Sequence, residues 1–164
     1  MEQTSPILNA HNKQEYPPMH TAEHLLNQTM VRMFGCERSD NAHIERKKSK
    51  INYHLPECPT KSQIDSIEET INKLIKENLP VTYKYVNRNE IPSNVKLDRL
   101  PEDAGATLRL VYIGDYDVCP CIGKHVRSTG ELGSFHINST SYKNGIFRIV
   151  FKLIDPSPLY DDKA

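Results

Sequence analysis

Segments in which apolar and polar residues alternate constrain the fold of this chain more than any other feature. Four of them read KINYHL, VTYKYV, TLRLVYIG and GIFRIVFKLI, at residues 50–55, 81–86, 107–114 and 145–154. Alternation with a period of two is typical of strands that bury one face. A shorter strand, SFHINS, is predicted before the last of them. Because helices and strands do not alternate strictly along the chain, the pattern favours an α+β fold with a largely antiparallel sheet.

Two helices are predicted beside these strands. Apolar side chains recur near helical spacing over residues 19–34, between a Pro-Pro pair and Gly35, which indicates one helix with a glycine at its end. A second helix is indicated after Thr60, because Thr60 and Gln63 form a capping-box pattern ahead of regularly spaced isoleucines. The sequence therefore predicts a few helices packed with the sheet.

Length and composition limit the domain organisation. The 164 residues suffice for one domain, which we place at residues 18–154, after an irregular segment 1–17 and before a loose tail 155–164. The 21 basic and 21 acidic residues give no net charge, so a globally basic nucleic-acid binder is not indicated. There is no apolar run of about 20 residues and no signal-peptide pattern. We therefore expect a cytoplasmic protein without membrane contact. The sequence does not indicate an oligomeric state.

Histidine and cysteine spacing indicates a metal site. His20 and His24 project from the same face of the first helix, one turn apart. Cys121 and His125 have the same spacing about a hundred residues later, in CPCIGKH. Zinc commonly binds sulfur and imidazole ligands supplied as pairs by two separated segments. Buried histidines and a buried thiol are the plain alternative, and Cys119 competes with His125 for the fourth position.

The residues around these pairs carry a family resemblance. HTAEHLL, followed far downstream by CPCIGKHVRSTGELGSF, resembles the second additional domain of class II synthetases, in particular freestanding alanyl-tRNA editing proteins of the AlaX type. The editing domain of threonyl-tRNA synthetase has a related second motif. The resemblance covers residues 20–154, and the family's α+β fold agrees with the alternation pattern.

The resemblance implies a zinc-dependent hydrolase that deacylates mischarged aminoacyl-tRNA, with Ser-tRNA(Ala) as the expected substrate and the acceptor end as the region bound. It leaves the catalytic residue unknown, and a zinc-bound water is the hypothesis. The family's Cys-Gly-Gly-Thr-His reads Cys-Ile-Gly-Lys-His here. A catalytically altered, zinc-containing tRNA-binding module is therefore an alternative, as is a hydrolase of another aminoacyl ester or amide.

Side chains near the second motif are predicted to contact tRNA or substrate. These candidates are Lys124, Arg127, Thr129 and Ile122. Tyrosines in the alternating strands are instead expected to serve the sheet or the core rather than to stack on bases; these are Tyr53, Tyr83 and Tyr85.

Overall fold

The first helix is longer than predicted at its start and ends where expected. In the computed structural model, which describes residues 16–90 and 107–161, α1 spans Pro17–Phe34. Two prolines occupy its first positions, where no backbone N–H is needed, and Gly35 ends it with a left-handed φ of 69°. Side chains around most of α1 are buried, so this helix lies inside the molecule rather than on its surface.

The second helix, α2, spans Lys61–Lys76 and begins with the predicted capping box. The Thr60 side chain accepts from the Gln63 backbone N–H, and the Gln63 side chain accepts from the Thr60 backbone N–H. One apolar face of α2 is buried, at Ile67, Ile71, Leu74 and Ile75. Neither helix in the described part of the chain has the length and apolar character needed to cross a bilayer.

Seven strands form two antiparallel sheets in the described residues, which confirms the predicted α+β class. The strands are β1 (Asn41–His43), β2 (Ser49–His54), β3 (Val81–Asn87), β4 (Thr107–Ile113), β5 (Asp117–Pro120), β6 (Ser134–Lys143) and β7 (Ile146–Ile154). One sheet has the order β1-β2-β7-β6, and the other has the order β3-β4-β5. The strand predicted at residues 134–139 extends to Lys143, and β1 and β5 were not predicted.

The main core lies between α1, α2 and the two sheets. Its largest fully buried side chains include Tyr53, Phe135, Phe147 and Phe151. Buried donors and acceptors tend to be paired, and Asn27 and Tyr53 follow this rule. The Tyr53 hydroxyl donates to Asn27 Oδ1 over 2.7 Å. This arrangement packs α1 against β5 and against the turn that precedes β6.

The segment after β7 is in contact with the rest of the domain as far as it is described. Residues 158–160 form a short 3-10 helix, and the Tyr160 hydroxyl contacts both the Glu131 carboxylate and the backbone N–H of Arg127. Asp161 pairs with Arg46. The predicted irregular segment 1–17 and loose tail 155–164 fall partly outside the described residues, at 1–15 and 162–164.

Candidate metal centre

Two segments that are distant in sequence meet at α1. His20 and His24 lie one turn apart on this helix and are both buried. Cys121 immediately follows β5, where its backbone N–H donates to the carbonyl of Arg109 over 3.2 Å. His125 lies four residues further along a loop that runs back against α1. Because α1 packs against β5, the loop that follows β5 brings Cys121 and His125 beside His20 and His24.

The four predicted ligand residues form one group. A ligand atom from each of them lies within 4.8 Å of the other three. Cys121 Sγ is 3.4 Å from His20 Nε2, and the rings of His20 and His125 are stacked with their centroids 4.0 Å apart. The geometry thus brings one thiol and three imidazoles to a common point, a donor set that could hold a metal ion.

Hydrogen bonds outside the group orient two of the imidazoles. His20 Nδ1 is 2.9 Å from the carbonyl oxygen of Lys124. A carbonyl only accepts, so Nδ1 carries the hydrogen and Nε2 keeps its lone pair toward the centre. His125 Nδ1 is 2.9 Å from the Thr21 hydroxyl oxygen, which also accepts from the backbone N–H of Val126. Such partners fix the ring orientation of metal-binding histidines.

Among the described residues, His24 Nδ1 and His125 Nε2 are buried with no hydrogen-bond partner. An unsatisfied buried polar atom costs free energy, and a cation at the centre would satisfy His125 Nε2. The donor chemistry and this orphaned nitrogen both fit a zinc ion, and the four residues that would hold it are His20, His24, Cys121 and His125.

A buried ion pair lies behind His24. Asp117 Oδ2 is 3.7 Å from His24 Nδ1, and Arg38 Nη1 donates to Asp117 Oδ1 over 2.8 Å. The side chains of Arg38 and Asp117 are only 16% and 1% exposed. Burial raises the pKa of Asp117, but His24 and Arg38 outweigh burial and hold that pKa below its ordinary value. Asp117 is therefore ionised, and its negative charge faces the imidazole of His24.

The thiol of Cys121 differs electrostatically from that of Cys119. Burial raises the pKa of Cys121, but the three neighbouring imidazoles outweigh burial and lower it to about 2. Burial raises the pKa of Cys119 to about 12. Burial and the proximity of His24 also lower the pKa of His125 to about 3. Thiolate and neutral imidazole are the forms that bind metals, and Cys119 lies outside the ligand group.

The backbone of the ligand loop is held by Arg109 of β4. Its Nε donates to the carbonyl of Cys121 over 2.7 Å, and its Nη2 donates to the carbonyl of Gly123. The Gly123 backbone N–H donates to Cys121 Sγ over 3.5 Å. The loop therefore keeps its shape through contacts on both its carbonyl and its amide groups.

The residues predicted to contact substrate differ in their surroundings. Lys124 and Ile122 are exposed, so the isoleucine that replaces the family's glycine does not crowd the ligands. Arg127 is exposed, and its guanidinium binds Glu131. Thr129 is fully buried, and its hydroxyl donates to the carbonyl of Leu74. The backbone carbonyl of Lys124 orients His20, and this contact does not depend on which side chain stands at position 124.

Comparisons with known proteins match the segment of the chain that contains Cys121 and His125. Residues 108–150 match the sequence profile of the threonyl and alanyl tRNA synthetase second additional domain. An alanine–tRNA ligase of Halorubrum lacusprofundi is 32% identical over 136 residues, covering 80% of this chain. One of Aeropyrum pernix is 31% identical over 150 residues, covering 86% of this chain. Residues 108–150 therefore belong to the family of this second additional domain, and the chain as a whole is similar to one segment of alanine–tRNA ligases.

The similarity covers a small part of each relative. The matched segments are 15% of the Halorubrum ligase and 16% of the Aeropyrum ligase. A ligase of Haemophilus influenzae is 26% identical over 145 residues, which cover 87% of this chain and 17% of that relative. The profile of the second additional domain includes Cys121 and His125, whereas His20 and His24 precede it.

Three residues that support the ligands were not found from the sequence. The sequence did contain an indication of Asp117. It lies two and four residues before Cys119 and Cys121, so in an extended segment the three side chains point to the same face. Arg38 and Thr21 had no such indication, because their contacts with Asp117 and His125 join positions 79 and 104 residues apart.

Proposed function

We propose that this protein is a zinc-dependent hydrolase that removes the amino acid from mischarged aminoacyl-tRNA, with Ser-tRNA(Ala) as its first substrate. One observation carries the proposal. In a chain that matches the second additional domain family at residues 108–150, α1 and the loop after β5 bring a thiol and three imidazoles within 4.8 Å of one another. The relatives are alanine–tRNA ligases, which supports an alanyl-tRNA rather than a threonyl-tRNA substrate.

The ligand residues suit zinc among the common divalent ions. Thiolate and imidazole are ligands that zinc prefers, whereas magnesium and calcium take oxygen ligands. When bound, zinc supplies a Lewis acid beside the ester that is to be cleaved. The protein's own part is to keep the donors in place: the Lys124 carbonyl orients His20, Thr21 orients His125, and Asp117 faces His24.

Binding of the acceptor end would use side chains at the rim of the ligand loop. Lys124 is exposed next to His125, and its ammonium group suits a phosphate of the RNA backbone. Arg127 is exposed two residues further along, where Glu131 holds its guanidinium in one position. Each cation that contacts a phosphate makes binding weaker at higher salt. We therefore assign Lys124 to phosphate contact, with Arg127 as a second candidate.

A panel of aminoacyl-tRNAs tests the proposal. Ser-tRNA(Ala), Gly-tRNA(Ala), Ser-tRNA(Thr) and correctly charged Ala-tRNA(Ala) are incubated with zinc-loaded protein, with protein stripped by a chelator and with stripped protein to which zinc is returned. We expect release of serine from Ser-tRNA(Ala) that is lost on stripping and regained with zinc. Failure to hydrolyse any mischarged tRNA at high protein concentration would refute the proposal.

A second candidate function is a zinc-containing tRNA-binding module without hydrolytic activity. The observation that favours it is the number of ligands, since four protein donors complete a tetrahedral zinc site and are typical of structural centres. Ile122 and Lys124, which replace glycine and threonine of the family pattern, also distinguish this chain. If this candidate is correct, Ile122→Gly combined with Lys124→Thr should create hydrolysis that the natural chain lacks.

A further inference from the structure

The exposure of one face of β3 rises steeply toward the metal centre. Val81, Tyr83 and Tyr85 alternate along the strand and therefore share a face. Their exposed fractions are 7%, 43% and 69%. Tyr85 is the most exposed large apolar side chain of the described residues. This face passes from the core at its first residue to an open aromatic surface two and four residues later.

The same face carries the ligand segment. Tyr85 pairs in register with Arg109 of β4, and the Cys121 backbone N–H donates to the Arg109 carbonyl. Tyr85, Arg109 and Cys121 therefore form one row across the sheet. Neighbouring strands lie about 4.8 Å apart, so the row places Tyr85 about 10 Å from Cys121. The open tyrosine and the ligand loop border the same surface.

Tyr83 is fixed between the open surface and the ligands. The guanidinium of Arg109 lies over the Tyr83 ring, 4.6 Å from its centroid. Arg109 in turn binds the carbonyls of Cys121 and Gly123. Tyr83 is thus an ordered aromatic wall of the centre, while Tyr85 presents its ring to solvent.

The open end of this face is positively charged, which suits the anionic phosphate of a nucleotide. Along the described positions that share the face, the cation is Arg109 and the carboxylate is Asp117. Asp117 is buried and neutralised by Arg38, whereas Arg109 lies at the open end beside both tyrosines. Proteins that bind single-stranded nucleic acid combine aromatic rings for base stacking with nearby cations for the backbone.

We infer that Tyr83 and Tyr85 form a platform for the terminal nucleobase of the tRNA acceptor end. The inference rests on the proposed function, because an aminoacyl ester is attached to the terminal ribose. If the ester lies at the ligand group, the terminal base must lie within one nucleotide of it, which is where the tyrosines are. Tyr85 stacks on the base, and Tyr83 with Arg109 bounds the ribose side of the platform.

The test uses an uncharged RNA minihelix with 2-aminopurine as its terminal base, whose fluorescence falls when the base stacks. Titration with the zinc-loaded protein should quench this fluorescence. Tyr85→Leu should abolish the quenching and weaken minihelix binding about 5- to 150-fold, since one base–aromatic stack contributes about that factor. Tyr85→Phe keeps the ring and should retain both. Thr82→Ala, on the opposite face of β3, is the matched control.

Two outcomes separate the platform from the proposed hydrolysis. If the protein hydrolyses Ser-tRNA(Ala) but Tyr85→Leu quenches and binds like the natural protein, the platform is refuted and the proposed function stands. If no aminoacyl-tRNA is hydrolysed but quenching depends on the Tyr85 ring, the platform stands and the hydrolysis is refuted. Tyr85 is mostly exposed, so its substitution should leave the thermal unfolding midpoint unchanged, which verifies that the variants are folded.

Discussion

Replacing Asp117 with asparagine should weaken both the fold and the metal centre. The substitution keeps the size of the side chain but removes the charge that neutralises Arg38 and faces His24. Because both side chains of the pair are buried, the change removes the carboxylate that accepts two hydrogen bonds from the Arg38 guanidinium in the interior. Breaking a buried ion pair from one side costs about 3–5 kcal/mol. Loss of the carboxylate that faces a metal-binding histidine should lower metal affinity by about 10–100-fold.

Two measurements check these magnitudes. Urea unfolding of the metal-free protein gives the loss of unfolding free energy, and competition with a chromophoric chelator gives the change in zinc affinity. Asp161→Asn is the matched control. Its partner is also an arginine, Arg46, but the two side chains are 45% and 35% exposed. An exposed pair contributes only about 0–1 kcal/mol, so this control should change neither quantity much.

The double variant distinguishes the ion pair from a mere packing effect. If Asp117→Asn acts by removing the carboxylate that pairs with Arg38, combining it with Arg38→Gln should cost less than the sum of the two single changes. Zinc affinity should stay low in the double variant, because His24 still lacks its carboxylate. A loss below about 1 kcal/mol for Asp117→Asn with zinc affinity unchanged would contradict the role assigned to this pair.

The remaining predictions concern the ligand, its support and the turn that follows. Cys121→Ser should remove the thiolate-to-cobalt absorption band of the cobalt-substituted protein, whereas Cys119→Ser should retain it. Thr21→Val should cost about 1–3 kcal/mol in urea unfolding, because His125 Nδ1 and a backbone N–H lose their partner; Thr21→Ser should restore both. Gly133→Ala should lower the thermal midpoint and cost more than about 1–2 kcal/mol, since its φ is 78° and a Cβ would lie 2.1 Å from a backbone oxygen of β7; an unchanged midpoint would contradict this.

Local patterns predicted the elements whose stability is mostly local or whose burial is regular. α2 was read from its capping box and apolar spacing, and both are present. The strands with long alternation were predicted for the same reason. β1 and β5 have only three and four residues, too few for a periodic signal, and Pro120 made β5 resemble a turn. Their existence depends on pairing with β2 and β4, which a local pattern does not contain.

The tyrosines show the same limit at the level of faces. Tyr53 is buried as alternation predicts, because β2 lies between two other strands and packs on the core. Tyr83 and Tyr85 have similar spacing but lie on an edge strand, where one face extends past the core. Sequence alternation reveals that two side chains share a face, but tertiary packing decides whether that face is covered.

The pairing of His20 with Cys121 has a consequence for the chain as a polymer. A metal held by both residues would close a loop of 101 positions, as a disulfide would. Closing a loop of that length restricts the unfolded chain by about 4–5 kcal/mol in the chain-entropy description. Bound zinc would then act as a reversible cross-link between two segments that are distant in the sequence. The lifetime of this protein against proteolysis should accordingly follow the concentration of free zinc around it.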